Sequence, residues 1–369
     1  MTSNIEETAS DHIDLQSAFR PAILRLNRLA DKEIYKTLVS QPSIKLTQDR
    51  IFDQLKELIK SRNPEVKLGI NDYDPLIETH LDGTDLNEYG AWVHYPWSNS
   101  LVHILDEDEF IEVRTNRNRE KITWEEQQIL KTKKIGVVGL SVGQSIALTL
   151  AMERTCGELR LADFDIVELS NVNRLRTGLH NLGIQKTVVA AREIAEIDPF
   201  LNVKIYNEGL TRENMDSFFT EDGDLDLFVE VCDSLDVKVS SRFKARDLKI
   251  PVVMDTNDRG MLDIERFDLE PDRNLFHGLI EEFLDNKSLV PLNQSNGHLL
   301  LKALVSFDSL SERMKISMNQ INKSITSWPQ LASSVVLGGS ITTDISRRIL
   351  LGQHNRSGRY YIDLDQLID

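Results

Sequence analysis

Lys134-Ile-Gly-Val-Val138-Gly139-Leu-Ser141-Val-Gly143-Gln144 decides the fold: an apolar strand runs into a small-residue turn, and helix-forming residues continue to Arg154. The first amides of such a helix have no intrahelical acceptor and point above the turn, where an anion completes them. A second apolar strand, Leu159 to Ala162, ends in Asp163, about 20 residues beyond the turn, where a nucleotide-binding fold places the carboxylate that holds a ribose. From Asp163 the chain is polar: Asp163-Phe-Asp165-Ile-Val-Glu168-Leu-Ser-Asn171-Val-Asn173-Arg174.

Outward from this stretch, strands and helices alternate. The expected order is strand 134–139, helix 143–155, strand 159–163, helix 185–197, strand 202–207, helix 211–219, strand 225–231, helix 236–248 and strand 250–255. That order predicts an α/β fold, a doubly wound, mostly parallel Rossmann-like sheet with right-handed crossovers. A further strand is expected at Met261–Phe267, then an irregular acidic stretch to Asp285 and helices near 308–324 and 331–351.

Upstream, helical periodicity runs from about Ser3 to Asn63, clearest at Ile51, Leu55, Leu58 and Ile59. Gly90-Ala-Trp92-Val-His-Tyr95-Pro-Trp97 and Leu101-Val-His-Ile-Leu read as a β-hairpin whose aromatics form its core. Residues 1–113 are thus expected to be a smaller helical and hairpin module, and residues 114–369 the nucleotide-binding domain. Thr123, with Glu126 three residues later, is a capping box opening a short helix before the first strand.

The chain has 369 residues, 40% hydrophobic and 28% charged, which fits a folded protein rather than a disordered one. Its 43 basic and 59 acidic residues give a net charge of −16, which argues against broad electrostatic binding to nucleic acid or to an anionic membrane. Cys156 and Cys232 are the two cysteines, so neither a disulfide framework nor a four-thiolate zinc site is expected. The first residues lack a signal-peptide pattern and no apolar run reaches about 18 residues, so a cytoplasmic protein is expected.

Taken in order, Arg114-Thr-Asn-Arg117-Asn, Gly139 to Gly143, Asp163 to Arg174, Gly183-Ile-Gln-Lys186 and Val231-Cys-Asp233 resemble the motifs of the ThiF/MoeB/HesA family, relatives of the ubiquitin-activating enzymes. The resemblance covers roughly Arg114 to Phe267 and, more weakly, the helix ending near Leu351. It implies an adenylyltransferase that activates a carboxylate with ATP and Mg²⁺. Gly139, Ser141, Gly143, Asp163, Asn171, Arg174 and Lys186 would hold the nucleotide, with Asp163 on the ribose hydroxyls. Arg174 and Lys186 would neutralise charge as pyrophosphate departs, and Asp233 would hold the metal. In relatives the arginine matching Arg117 reaches the phosphates of the neighbouring subunit, which implies a homodimer. The implied substrate is a small carrier protein, a peptide or a modified nucleoside. Arg259, in the loop after the strand at 250–255, is a candidate anchor for its carboxylate and equally a loop salt bridge.

The chain departs from the family at several positions. Ser141 replaces the usual second glycine and Gln144 follows Gly143, which predicts a less open phosphate approach. Leu175 stands where glutamine is usual, Arg176 adds a positive charge, the structural zinc cysteines are absent, and no cysteine follows Cys232 as a thioester nucleophile.

Other readings of the same residues compete. Gly139-Leu-Ser141-Val-Gly143 imitates the nucleophile elbow of α/β-hydrolases, with His277, His298 or His354 as base, but that leaves Asp163 to Arg174 unexplained. A dinucleotide-dependent oxidoreductase uses the turn and Asp163 but not Arg174, Lys186 and Asp233 together. A non-catalytic partner-binding subunit is the third alternative. Individually, Asp233 fits a helix cap as well as a metal ligand, and Lys186 at a helix start opposes the macrodipole unless an anion sits nearby.

Overall fold

The computed structural model describes residues 16–285, 288–291 and 294–368. Contacts divide it into two units, one ending at Arg119 and the other beginning at Glu120.

The first unit contains β1 (Ala22–Leu24), α1 (Leu29–Ser40), β2 (Leu46–Asp49), α2 (Ile51–Arg62), α3 (Tyr73–Leu81), β3 (Ala91–Tyr95), β4 (Ser100–Ile104) and α4 (Glu107–Arg114). The expected hairpin is β3–β4, and Ile51, Leu55, Leu58 and Ile59 form the buried face of α2. Two strands were not legible within the helical stretch. β1 pairs antiparallel with β3 and β2 parallel with β4, extending the hairpin to a four-stranded sheet in the order β1-β3-β4-β2. β1 is three residues long and β2, Leu46-Thr-Gln-Asp49, is exposed throughout, so neither carries an alternating apolar signal. Residues 3–15 of the expected helical run lie outside the described residues. Trp92 and Tyr95 are buried as hairpin core, and the fully buried His103 stacks on Trp92 with ring centroids 4.3 Å apart. His103 also hydrogen-bonds the Tyr89 carbonyl and Asp49.

The second unit begins with α5 (Trp124–Lys131), opened by the expected capping box: Thr123 Oγ accepts from the Glu126 amide and Glu126 accepts from the Thr123 amide. There follow β5 (Lys134–Val138), α6 (Leu140–Glu153), β6 (Glu158–Ala162), α7 (Lys186–Ile197), β7 (Asn202–Tyr206), α8 (Met215–Thr220), β8 (Leu227–Glu230), α9 (Leu235–Asp247), β9 (Val252–Asp255) and β10 (Met261–Glu265). The seven-stranded sheet has the order β13-β10-β9-β8-β5-β6-β7, where β13 is Gly358–Tyr361. β9, β8, β5, β6 and β7 run parallel; β10 and β13 close one edge antiparallel. The order reverses between β5 and β8, and ligands of doubly wound folds bind in the crevice outside the strand ends at that point.

Beyond β10 lie a two-stranded ribbon of β11 (Leu284–Asp285) and β12 (Ser288–Leu289), then α10 (Gln294–Leu304), α11 (Glu312–Met318), α12 (Ala332–Leu350) and, after β13, α13 (Leu364–Leu367). α6 is buried on nearly all sides, between the sheet, α7 and α12. Two consecutive glycines of α12 allow the approach. A Cβ on Gly339 would lie 2.4 Å from Ser145 Oγ, and one on Gly338 would collide with the Asp255 carboxylate.

Under β8, β9 and β10 lies a closed ladder of charges. Arg242 of α9, fully buried, bonds Glu230 at 2.5 Å and Glu265 at 2.7 Å, and Lys238 reaches Glu230 at 2.9 Å. Beside it, Asp263 pairs with Arg359 of β13 and lies 3.0 Å from His277 Nε2. Despite the cost of burial, Lys238 and Arg242 hold the Glu230 carboxyl below its ordinary range.

Candidate active site

Gly139 ends β5 with φ +88°, and a Cβ there would sit 2.6 Å from Cys232 Cα and 2.7 Å from the Val231 carbonyl oxygen. Only glycine accommodates both the dihedral and the close strand end. Gly143 serves the helix–sheet approach instead: a Cβ would meet Val137 Cγ1 at 2.8 Å. Between them α6 begins without a side-chain cap, leaving its first amides to other acceptors.

One of those amides is taken by Asp163. Its Oδ2 accepts from the Leu140 amide at 2.5 Å, and its Oδ1 accepts from the Asp165 amide at 2.8 Å. The carboxylate therefore braces the turn, while each oxygen keeps a second lone pair for a hydroxyl donor. Burial raises its pKa, only partly countered by the nearby Lys186 charge and the two amides.

Lys186, 4% exposed, starts α7 and donates to Asp165 Oδ2 at 2.6 Å and to Ser141 Oγ at 3.1 Å. Asp165, half exposed, thus relieves the opposition between a lysine and a helix N-terminus that the sequence left to a bound phosphate. Ser141 spends its hydroxyl on Lys186. The remaining pieces of a hydrolase do not assemble around it: His277 is engaged by Asp263 and Arg273, and His354 by the Arg356 carbonyl.

Arg174 is half buried; its Nη1 contacts Asn173 Oδ1 at 2.9 Å and its Nε is buried without an acceptor. Burial lowers its pKa, and the Asp233 carboxylate opposes that shift. Asp233, in the bend after β8, is exposed and has no ion pair among the described residues. The helix cap that competed with its metal role belongs to the neighbouring Ser234, whose hydroxyl accepts from the Val237 amide. Asn171 is buried, but its carbonyl accepts from the Glu168 amide at 3.1 Å and so shapes the loop ahead of Arg174. Arg117 lies in the short turn Asn116–Asn118 of the first unit.

The sequence missed three participants. Asp165 pairs Lys186. Gln144, expected to crowd the phosphate approach, instead turns into the protein: its Oε1 accepts from the Arg176 amide at 3.1 Å and its Nε2 donates to Glu193 Oε2 at 2.9 Å. Glu193 is pushed up to about 8 by burial, by Glu196 and against the pull of Thr177, Gln144 and Arg176. A glutamate within the apolar pattern of α7 was the available signal. Arg259 takes the bland alternative, bonding Asp363 at 2.6 Å and the Ser309 carbonyl at 2.7 Å.

Cys156 is fully buried, and burial drives both thiols far above their ordinary range, which suits neither for nucleophilic attack. Among the described residues no group of three or more His, Cys, Asp or Glu could hold a metal, and no helix is long and apolar enough to cross a membrane.

The model of the ThiF family matches residues 115–257. An uncharacterized protein of Mycobacterium tuberculosis (strain CDC 1551 / Oshkosh) is 39% identical over 350 residues, covering 94% of this chain and 46% of that protein. The ubiquitin-like modifier-activating enzyme 5 of Drosophila willistoni is 33% identical over 92 residues, 25% of this chain and 23% of the enzyme. The chain thus spans under half the length of the first relative and about a quarter of the second. Among solved structures, the E. coli tRNA N6-threonylcarbamoyladenosine dehydratase TcdA is 17% identical and aligns over 67% of this chain and 97% of its own, with a TM-score of 0.47.

Proposed function

We propose that residues 115–257, which match the model of the ThiF family, activate a carboxylate with ATP, releasing pyrophosphate and leaving an acyl adenylate. The observation that carries the reading is the meeting, at the start of α6, of the Lys186 ammonium bonded to Ser141 Oγ and the strand-end Asp163 carboxylate bonded to the Leu140 amide. A carboxylate oxygen attacks the α-phosphorus, the bond from that phosphorus to the bridging oxygen breaks, and its electron pair leaves with pyrophosphate. Two anions meet in this step, so the site must supply positive charge and amide donors. The amides of Ser141 and Val142, Arg174 and Lys186 supply them, while Asp163 receives the ribose.

Asp233 fits Mg²⁺ by its chemistry: an exposed carboxylate with no ion pair among the described residues would be one ligand of a hard cation that takes its others from phosphate oxygens and water. Bound there, the ion would bridge the phosphates and offset their charge.

The substrate in this reading is the carboxylate of a small carrier protein, a peptide or a modified nucleoside. With no cysteine after Cys232, the product leaves as the adenylate or passes to a non-thiol acceptor. Arg117 is assigned to a shared site in a cytoplasmic homodimer. Calorimetric titration with ATP and Mg²⁺, with NAD⁺ and NADH in parallel, tests the reading. Mg²⁺-dependent ATP binding weakened by Asp163→Ala and Asp233→Ala supports it. Dinucleotide binding without ATP binding replaces it with an oxidoreductase, and binding of neither replaces it with a partner-binding subunit.

A further inference from the structure

Gln144 bonds the loop that bears Arg174 and the helix that bears Lys186. It sits in the first turn of α6, whose amides and Ser141 form the phosphate-side turn, and it is 3% exposed. Its carbonyl fixes the Arg176 amide, two residues beyond Arg174, and its amide group fixes Glu193. Glu193 lies roughly two turns along α7 from Lys186 and is hydrogen-bonded by Thr177, the residue after Arg176. Three elements bearing Ser141, Arg174 and Lys186 therefore meet at one side chain. Leu175 anchors the Arg174–Thr177 segment by packing with Val167 and Val189, but the Arg174 side chain itself bonds only within its own loop through Nη1, and its Nε has no acceptor.

We propose that Gln144 and Glu193 are positioning residues that set the Arg174 guanidinium against the nucleotide phosphates. The proposal rests on the adenylation reading for the identity of the ligand. It assigns a purpose to the departure of this chain from a small residue after Gly143: the longer side chain does not narrow the phosphate approach but ties the loop that follows Asn171. Neither residue touches the phosphates, so their effect must pass through Arg174. Loss of the tie should weaken triphosphate binding and leave the adenosine end, held by Asp163 on another strand, intact.

The test compares ATP·Mg²⁺ and adenosine affinities by calorimetry for the full chain, Gln144→Leu, Arg174→Ala, their double variant, Glu193→Leu and Glu193→Gln. Gln144→Leu should lose roughly tenfold in ATP affinity, the scale of one charge-assisted hydrogen bond, with adenosine affinity unchanged. The double variant should lose no more than Arg174→Ala alone, because the two substitutions act on one contact. Glu193→Gln, which keeps an acceptor for Gln144, should recover the ATP preference that Glu193→Leu loses. Equal losses for ATP and adenosine would make Gln144 a structural residue only, and an additive double variant would detach it from Arg174; either overturns the proposal. A wild-type protein that binds no ATP overturns the adenylation reading itself, whereas wild-type ATP binding with an unaffected Gln144→Leu overturns this inference alone.

Discussion

The charge ladder under β8, β9 and β10 and the cluster at the ends of β5, β6 and β8 are built from the same residue types and come within three residues of each other at the end of β8. Glu230 ends β8 in the ladder; Asp233, three residues on, lies in the open cluster. In the ladder Arg242, Glu230 and Glu265 are fully buried and each is answered by an opposite charge. In the cluster Asp233 has no ion pair, Arg174 has an unsatisfied Nε, and Asp163 and Lys186 are held by partners that leave further lone pairs and the turn amides open. A set of charges closed on itself specifies structure, because removing one member strands its partner in a medium that cannot solvate it. A set left incomplete at the mouth of a sheet is shaped for something brought from outside.

The largest effect that sharpens this contrast is expected in the ladder. Arg242→Ala leaves Glu230 and Glu265 facing one another without their shared cation, and should cost about 3–5 kcal/mol in urea unfolding. A loss below about 1 kcal/mol would show that the ladder is not the closed unit described.

Asp255 stands between the two regions, at the carboxyl end of β9 but sealed beneath Gly338 of α12, with Oδ2 lacking a hydrogen-bond partner. Burial pushes it up to about 7. The folded state therefore binds a proton that the unfolded state releases near pH 4, so stability from this group is present at low pH and is lost as pH rises towards 7. The slope is at most about 1.4 kcal/mol per pH unit. Glu193, pushed up to about 8, extends the decline in the same direction. Unfolding of Asp255→Asn between pH 5 and 8 should be flatter than wild type and more stable at the alkaline end; an unchanged profile would contradict the assignment.

In the open cluster the cost should fall on ligand rather than on fold. Asp233→Ala should shift unfolding by no more than about 0.5 kcal/mol while weakening Mg²⁺-dependent ATP binding roughly tenfold or more. A variant that unfolds easily and binds normally would reverse the contrast. Smallest of all, Asp165→Asn removes a half-exposed partner of Lys186 and should change stability by about 0.2–1 kcal/mol.

The alternation of strands and helices from Lys134 to Asp255 was legible because apolar β-branched runs and the helical spacing of apolar residues between them state their own conformation locally. The turn glycines, the strand-end Asp163 and the capping box at Thr123 were legible for the same reason, since each answers a requirement of its neighbours in the chain. β1 and β2 were not legible, because a three-residue strand and an exposed edge carry no periodic signal and exist only by pairing with the hairpin. Nor was the role of Gln144, and Arg259 was left open between an anchor and a loop salt bridge. One looked like an obstruction and proved to be a tie, and the other was a candidate anchor and proved to be committed to Asp363.

The amino-acid sequence by itself determined that a nucleotide-type turn begins a doubly wound sheet and which ionisable residues surround it, because backbone dihedrals and apolar periodicity are local properties. The tertiary structure alone decided which charges are closed on one another and which remain open. Pairing joins residues far apart in the chain, as Arg242 joins Glu265 and Arg359 joins Asp263, and the cost of burying a charge depends on what the fold brings beside it.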